Sequence, residues 1–352
     1  MSLHSRSLVS RIGWLACLLP LWCLGCSPKP TETPTGTTGT SSAAEPKTAG
    51  TLRKVKLLLN WYPEAEHGGF YAAQVHGYYR DAGLDVEIVP GGPSVPVVQQ
   101  VATKQVEFGI VNADPICFGR AQEAPIVALM APLQTSPRCL IVHEKSGIKK
   151  FADIHDMEVA MSSTSAFSHF LQKKFPFKNV RIVPYPGNVA QFLQNENYAQ
   201  QGYIFSEPFL AKQQGGDPRV LLVSDEGFNP YTSCLITHDE IVKQDPELAR
   251  KIVQASIKGW QKYLAEPKPT NELIHSLNKE MSLEVLAFGA QELKPLVEDT
   301  VTKQHGLGHM GLERWQTLVD QLVEIGQLAP DKVKTSDLFT TEFLKASDKQ
   351  LP

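Results

Sequence analysis

Val55-Lys56-Leu57-Leu58-Leu59, the segment Asn60-Trp61-Tyr62-Pro63-Glu64-Ala65-Glu66-His67-Gly68-Gly69-Phe70-Tyr71, and Leu84-Asp85-Val86-Glu87-Ile88 together set the architecture of this chain. The first run is short and apolar and reads as a buried strand. A helix is expected from about His67 to Tyr79, with Gly83 in the turn that ends it. The third run alternates apolar and acidic residues, a strand signature. The unit is therefore strand–helix–strand, the building block of a parallel α/β sheet.

The same alternation continues outward. Pro90-Gly91-Gly92-Pro93 opens a unit with a helix through Val97 to Lys104, a strand at 106–111, a helix at 113–122 and a strand at 126–130. It restarts after Pro137, with strands expected at 140–143, 158–161, 180–185, 202–205 and 219–223. Helices are expected at 163–175, 189–194 and 207–214. Cys234-Leu235-Ile236-Thr237 then returns the chain to the first unit, and the remainder is helical. Asp245-Pro246-Glu247 supplies a cap, a proline at the first helical position and an early acid. Val253, Ile257, Trp260 and Leu264 form one apolar stripe and Trp315, Leu318, Val319 and Leu322 another, both expected to pack on the first sheet. The fold class is α/β, with a discontinuous lobe of 52–138 plus 234–346 and a second lobe of 139–233.

Residues 1–50 read as an export leader and tether. Arg6 and Arg11 precede an apolar core, Ile12 to Gly25, too short to span a bilayer comfortably; residues 1–25 form the signal peptide. Leu24-Gly25-Cys26-Ser27 resembles the bacterial lipobox, which makes Cys26 the lipidated residue; a conventionally cleaved soluble protein is the alternative. Cys26 to Gly50 is rich in Pro, Thr, Ser, Gly and Ala and reads as a disordered stalk. The chain has 352 residues, 42% of them hydrophobic, and a net charge of −3, without the basic excess of a nucleic-acid binder. Cys117, Cys139 and Cys234 remain in the body without a CxxC pair, which argues against a zinc site; a Cys139–Cys234 bridge is left open.

Ligands of open α/β sheets bind beyond the carboxyl ends of strands. After the first strand, Trp61 and Tyr62 could stack on a ring while His67 hydrogen-bonds it, and Gly68-Gly69 could let a ligand approach the backbone. Packing is the competing role for both aromatics. Asn112 and Asp114 follow the 106–111 strand. Ser162, Ser163, Thr164 and Ser165 lie at a helix start, suited to an anion or carbonyl, with capping as the other use of their hydroxyls. Tyr185 and Asn188 follow the next strand. Glu207, before Pro208, either accepts hydrogen bonds from the ligand or favours the helix dipole.

Leu59 to Pro63, His67 to Tyr71, Gly77-Tyr78-Tyr79 with Gly83 to Val86, Tyr203 to Phe209 and Asp245 to Trp260 resemble the periplasmic binding proteins related to the thiamine pyrimidine-precursor family. That superfamily also holds aliphatic sulfonate, taurine and nitrate receptors. The resemblance implies a type II periplasmic-binding fold, two doubly wound lobes closing on a small-molecule ligand. It implies delivery to an ABC permease and its ATPase, and carries a ring-binding role onto Trp61, His67 and Glu207. A heteroaromatic ligand is the first expectation, and an oxyanion the second. One branch is enzymatic, building a pyrimidine phosphate by consuming its own histidine with iron; His67 occupies that place, but the branch's cysteine-rich iron motif is missing. No GxSxG, HExxH or Walker loop is present, and Gly306 and Gly308 set against a metal pair at His305 and His309. The reading is a monomeric, exported, membrane-anchored receptor with no catalytic residue, metal or cofactor.

Overall fold

The computed structural model describes residues 51–345; the signal segment, Cys26 and the stalk lie outside the described residues. In chain order the elements are β1 (Arg53–Leu58), α1 (Gly68–Val75), α2 (Tyr78–Asp81), β2 (Leu84–Val89), α3 (Val97–Ala102), β3 (Phe108–Val111), α4 (Ala113–Ala121) and β4 (Ile126–Met130). The second sheet's segment follows with β5 (Arg138–His143), β6 (Glu158–Ala160), α5 (Ala166–Lys174), β7 (Arg181–Val183), α6 (Ala190–Gln194), β8 (Tyr198–Tyr203), α7 (Glu207–Gln213) and β9 (Pro218–Leu222). The chain ends with β10 (Cys234–His238), α8 (Asp239–Gln244), α9 (Pro246–Ala265), α10 (Lys268–Leu277), α11 (Leu283–Val297), α12 (Thr300–His305) and α13 (Leu312–Glu324). Among the described residues no helix is long and apolar enough to cross a membrane.

These strands form two five-stranded sheets, ordered β2-β1-β3-β10-β4 and β7-β6-β8-β5-β9. Neither is wholly parallel, as strand–helix alternation alone predicts. β10 runs antiparallel to β3 and β4, and β5 antiparallel to β8 and β9. The physical reason is connectivity: each of these strands arrives from the other sheet and so enters from the cleft side. The two crossovers lie side by side, bridged at Leu133 and Thr232. Arg314 of α13 clamps both, donating to the carbonyls of Gln134, Asn229 and Pro230 and to Asn229 Oδ1. Cys117, Cys139 and Cys234 are free and buried, so no Cys139–Cys234 bridge forms.

Several boundaries differ from the sequence expectation. The expected single helix over 67–79 is broken at Gly77, whose φ of 77° lies in the left-handed region. The expected strand at 202–205 lies instead at 198–203, because Gln200 and Gln201 are buried despite their polarity. The α5 helix starts at Ala166, and none of the preceding hydroxyls caps it. In α9 the buried face is Ile252, Val253, Ser256, Gly259, Trp260 and Tyr263, leaving Ile257 and Leu264 only partly buried. That face packs on α1 more than on the sheet.

The α1–α9 contact explains the glycines. A Cβ on Gly68 would stand 2.1 Å from the Tyr263 ring, and one on Gly69 2.1 Å from the Trp260 ring. A Cβ on Gly259 would stand 2.2 Å from the Gly69 carbonyl oxygen. Gly68-Gly69 therefore serves helix packing, not approach of a ligand to the backbone. Gly259→Ala should destabilise the fold by about 1–3 kcal/mol through overpacking against backbone, read as a lowered thermal midpoint; an unchanged midpoint would show that the helices separate freely.

Candidate functional site

A cavity of about 150 Å³ lies between the two sheets, beyond the carboxyl ends of their parallel strands. A hollow of that size accommodates a single six-membered ring. From the first sheet, the β1–α1 loop supplies Asn60, Trp61, Glu64 and Glu66, and the end of β3 supplies Asn112. From the second come Arg138 at the start of β5, Tyr185 after β7, Gln201 and Tyr203 on β8, and Glu207 opening α7. Asn112 Nδ2 donates to Tyr203 Oη at 3.0 Å and so links the two walls. Phe209 and Phe288 stack across the same divide with centroids 4.6 Å apart. A larger hollow of about 580 Å³ between α3 and α4 shares Asn60 and Asn112 with the cavity.

The structure brings Trp61, Asn112, Tyr185 and Glu207 together on the lining. Glu207 is held by two donors, Tyr185 Oη to Oε1 at 2.7 Å and the Tyr203 amide to Oε2 at 2.8 Å. Burial and the neighbouring Glu207 raise the Tyr185 hydroxyl far above its usual range, so it stays a donor. Trp61 is partly buried and meets Tyr62 edge-on at 5.4 Å, while Tyr62 is 48% exposed on the rim.

The other expected residues lie off this lining. His67 is fully buried behind the loop, with Nε2 3.0 Å from Asn60 Oδ1 and 3.1 Å from Glu66 Oε1. It thereby orients two residues that do line the cavity. Asp114 opens α4, and burial pushes its carboxyl up to about 6. The Ser162 amide donates to Gln201 Oε1 at 2.8 Å, which positions another lining residue. Ser162 Oγ lies 3.2 Å from Thr164 Oγ1, and Ser163 and Thr164 are exposed. Asn188 is exposed, and its Oδ1 accepts from the Ala190 amide at the start of α6. His305 and His309 stack with centroids 4.5 Å apart, and the described residues contain no group of three or more side chains able to hold a metal.

Asn60, Glu64, Glu66, Arg138, Gln201 and Tyr203 were not singled out by sequence. One signal was available: the acids inside the β1–α1 loop. Glu64, Glu66 and Glu207 give the cavity three carboxylates against the one guanidinium of Arg138. Burial, then Glu66 and Glu207, raises the Glu64 carboxyl well above the usual carboxylate range. Glu66 is fully buried; His67 Nε2 lies 3.1 Å from its Oε1, and its Oε2 has no hydrogen-bond partner.

Residues 64–270 match the family model described as NMT1/THI5 like. The chain belongs to the NMT1/THI5-like family. Among its relatives is the riboflavin-binding protein RibY of Chloroflexus aurantiacus, 25% identical over 95% of this chain and 97% of that protein. Another is the formylaminopyrimidine-binding protein of Halalkalibacterium halodurans, 21% identical over 77% of this chain and 85% of the relative. In fold the chain resembles the periplasmic aliphatic sulphonate binding protein SsuA of Escherichia coli, with a TM-score of 0.64 at 15% identity over 85% of this chain and 96% of that one. The fold is thus the two-lobed α/β type of the periplasmic binding proteins.

The raised Glu64 carboxyl has a stability consequence. The folded state holds its proton where the unfolded chain has released it, so folding takes up a proton and stability falls as pH rises above the ordinary carboxylate range. Glu64→Gln should raise the thermal midpoint of the ligand-free protein at pH 7.5 and flatten its decline between pH 5 and 7.5. A lowered midpoint with the same pH slope would contradict this.

Proposed function

We propose that this protein is an exported solute receptor that captures a small heteroaromatic molecule for an ABC permease and its ATPase. The observation that carries the ligand class is the lining: Trp61 beside a ring-sized cavity bearing three carboxylates and one guanidinium. A sulfonate or nitrate would meet Glu66 and Glu207 at close quarters, whereas a heterocycle offers N–H groups for them to accept. Trp61 supplies the face on which the ring stacks, Glu207 and Tyr185 bond its polar edge, and Asn112 closes the site. Tyr62 guards the rim. Ser163 and Thr164, exposed beside half-buried Ser162, receive a polar substituent.

The receptors for riboflavin and formylaminopyrimidine among the relatives support this reading, since each matches most of its own length. The burial of His67 behind Asn60, with no edge on the cavity, favours binding over the histidine-consuming chemistry of the enzymatic branch. In our reading residues 52–138 with 234–346 form one lobe and 139–233 the other, hinged at the crossovers held by Arg314. Residues 1–25 direct export to the periplasm, lipidated Cys26 and the 26–50 stalk tether the receptor, and it acts as a monomer.

Thermal-shift screening against pyrimidines, flavins, sulfonates and nitrate tests the ligand class, because a ligand that binds only the native state raises the midpoint by mass action. Heterocycles should raise it; a shift with oxyanions alone would overturn the reading. Trp61→Ala should weaken the bound ring by about 1–3 kcal/mol, on the scale of base–aromatic stacking, and an unchanged affinity in titration calorimetry would remove Trp61 from the site.

A further inference from the structure

Arg138 is the one cation on the cavity lining, and its surroundings leave it unpaired. The guanidinium lies 4.1 Å from the centre of the Tyr203 ring and 4.9 Å from that of Phe167. The two rings hold it by cation–π attraction, which fixes its plane without occupying its N–H groups. Among the described residues no carboxylate comes within 4.0 Å of its nitrogens, although Glu64, Glu66 and Glu207 line the same cavity. Oε2 of buried Glu66 likewise lacks a hydrogen-bond partner, its Oε1 facing His67 Nε2 at 3.1 Å. A rigid five-donor fork and an unpartnered carboxylate oxygen therefore line one small space without meeting each other. Burial of Glu66 Oε2 without a partner is costly, and the half-buried guanidinium keeps its donors open to the cavity, so a ligand that bridges the two is favoured.

We propose that Arg138 is a specificity-determining residue that donates to a ring carbonyl of the ligand while the carboxylates accept from an adjacent ring N–H. This deepens, and rests on, the solute-receptor reading. The ligand class it defines is a cyclic imide or ureide, a ring with C=O beside N–H such as the dioxopyrimidine edge of a flavin. An amino-substituted pyrimidine without a carbonyl offers the carboxylates a donor but leaves the guanidinium unmet. An oxyanion satisfies the guanidinium but turns its charge toward Glu66. The hollow that shares Asn60 and Asn112 provides room for the remainder of a fused-ring ligand.

The test compares riboflavin, whose fluorescence reports binding directly, with 4-amino-5-hydroxymethyl-2-methylpyrimidine measured by calorimetry, using the full chain purified in detergent. The wild type should prefer riboflavin. Arg138→Gln should weaken riboflavin roughly 10- to 100-fold, the loss of a charge-assisted hydrogen bond, and leave the aminopyrimidine essentially unchanged. Arg138→Lys keeps the charge over the rings but not the fork, so it should recover only part of the loss. It also decides the matter if the glutamine variant does not fold. A wild-type preference for the aminopyrimidine, or equal weakening of both ligands, overturns the role of Arg138 while the receptor reading stands. A wild type that responds only to sulfonate or nitrate overturns both.

Discussion

Everything at the site depends on the pair of crossovers between the sheets. Because the chain passes twice through the same narrow waist, the carboxyl ends of both sets of parallel strands turn toward one space. β5 and β10, the strands that begin at the waist, must then run against their neighbours. Backbone groups in such a waist lack the regular ladder of a sheet, and a buried carbonyl without a partner is costly. Arg314 meets that need by donating to carbonyls on both passes at once, and α13 carries it there. The arrangement keeps the two walls in register while leaving each sheet a rigid unit of its own.

The walls are held apart by their chemistry as much as by their shape. Three carboxylates and one guanidinium around a ring-sized hollow make a site that is expensive to keep empty. Glu64 holds a proton more readily than an ordinary carboxylate, which relieves part of that repulsion, and Tyr185 with the Tyr203 amide gives each oxygen of Glu207 a donor. What is left, on Glu66 and Arg138, is a pattern of one acceptor group and one donor group.

The first wall was legible because its signals are local. The apolar run before Asn60, the alternation at 84–88 and the aromatic pair Trp61-Tyr62 can be read from neighbouring residues, and Trp61 does line the cavity. The second wall was less legible. Gln200 and Gln201 of β8 fell outside the strand expected at 202–205, since periodicity cannot show that a polar side chain is buried. His67 illustrates the same limit in reverse: an imidazole beside a strand end invites a ligand role, yet its ring supports Asn60 from behind.

The sequence by itself determined the α/β class, the return of the chain at Cys234 and the helical C-terminal third, because hydrophobic period and turn residues act over a few positions. Only the tertiary structure decided that Gly68, Gly69 and Gly259 serve the crossing of α1 and α9. It alone gathered Glu64, Glu66, Arg138 and Glu207 around one hollow. Residues 74 and 69 positions apart, as Glu64, Arg138 and Glu207 are, influence one another only once folding removes the water between them. Charge at such a distance along the chain carries no local signature.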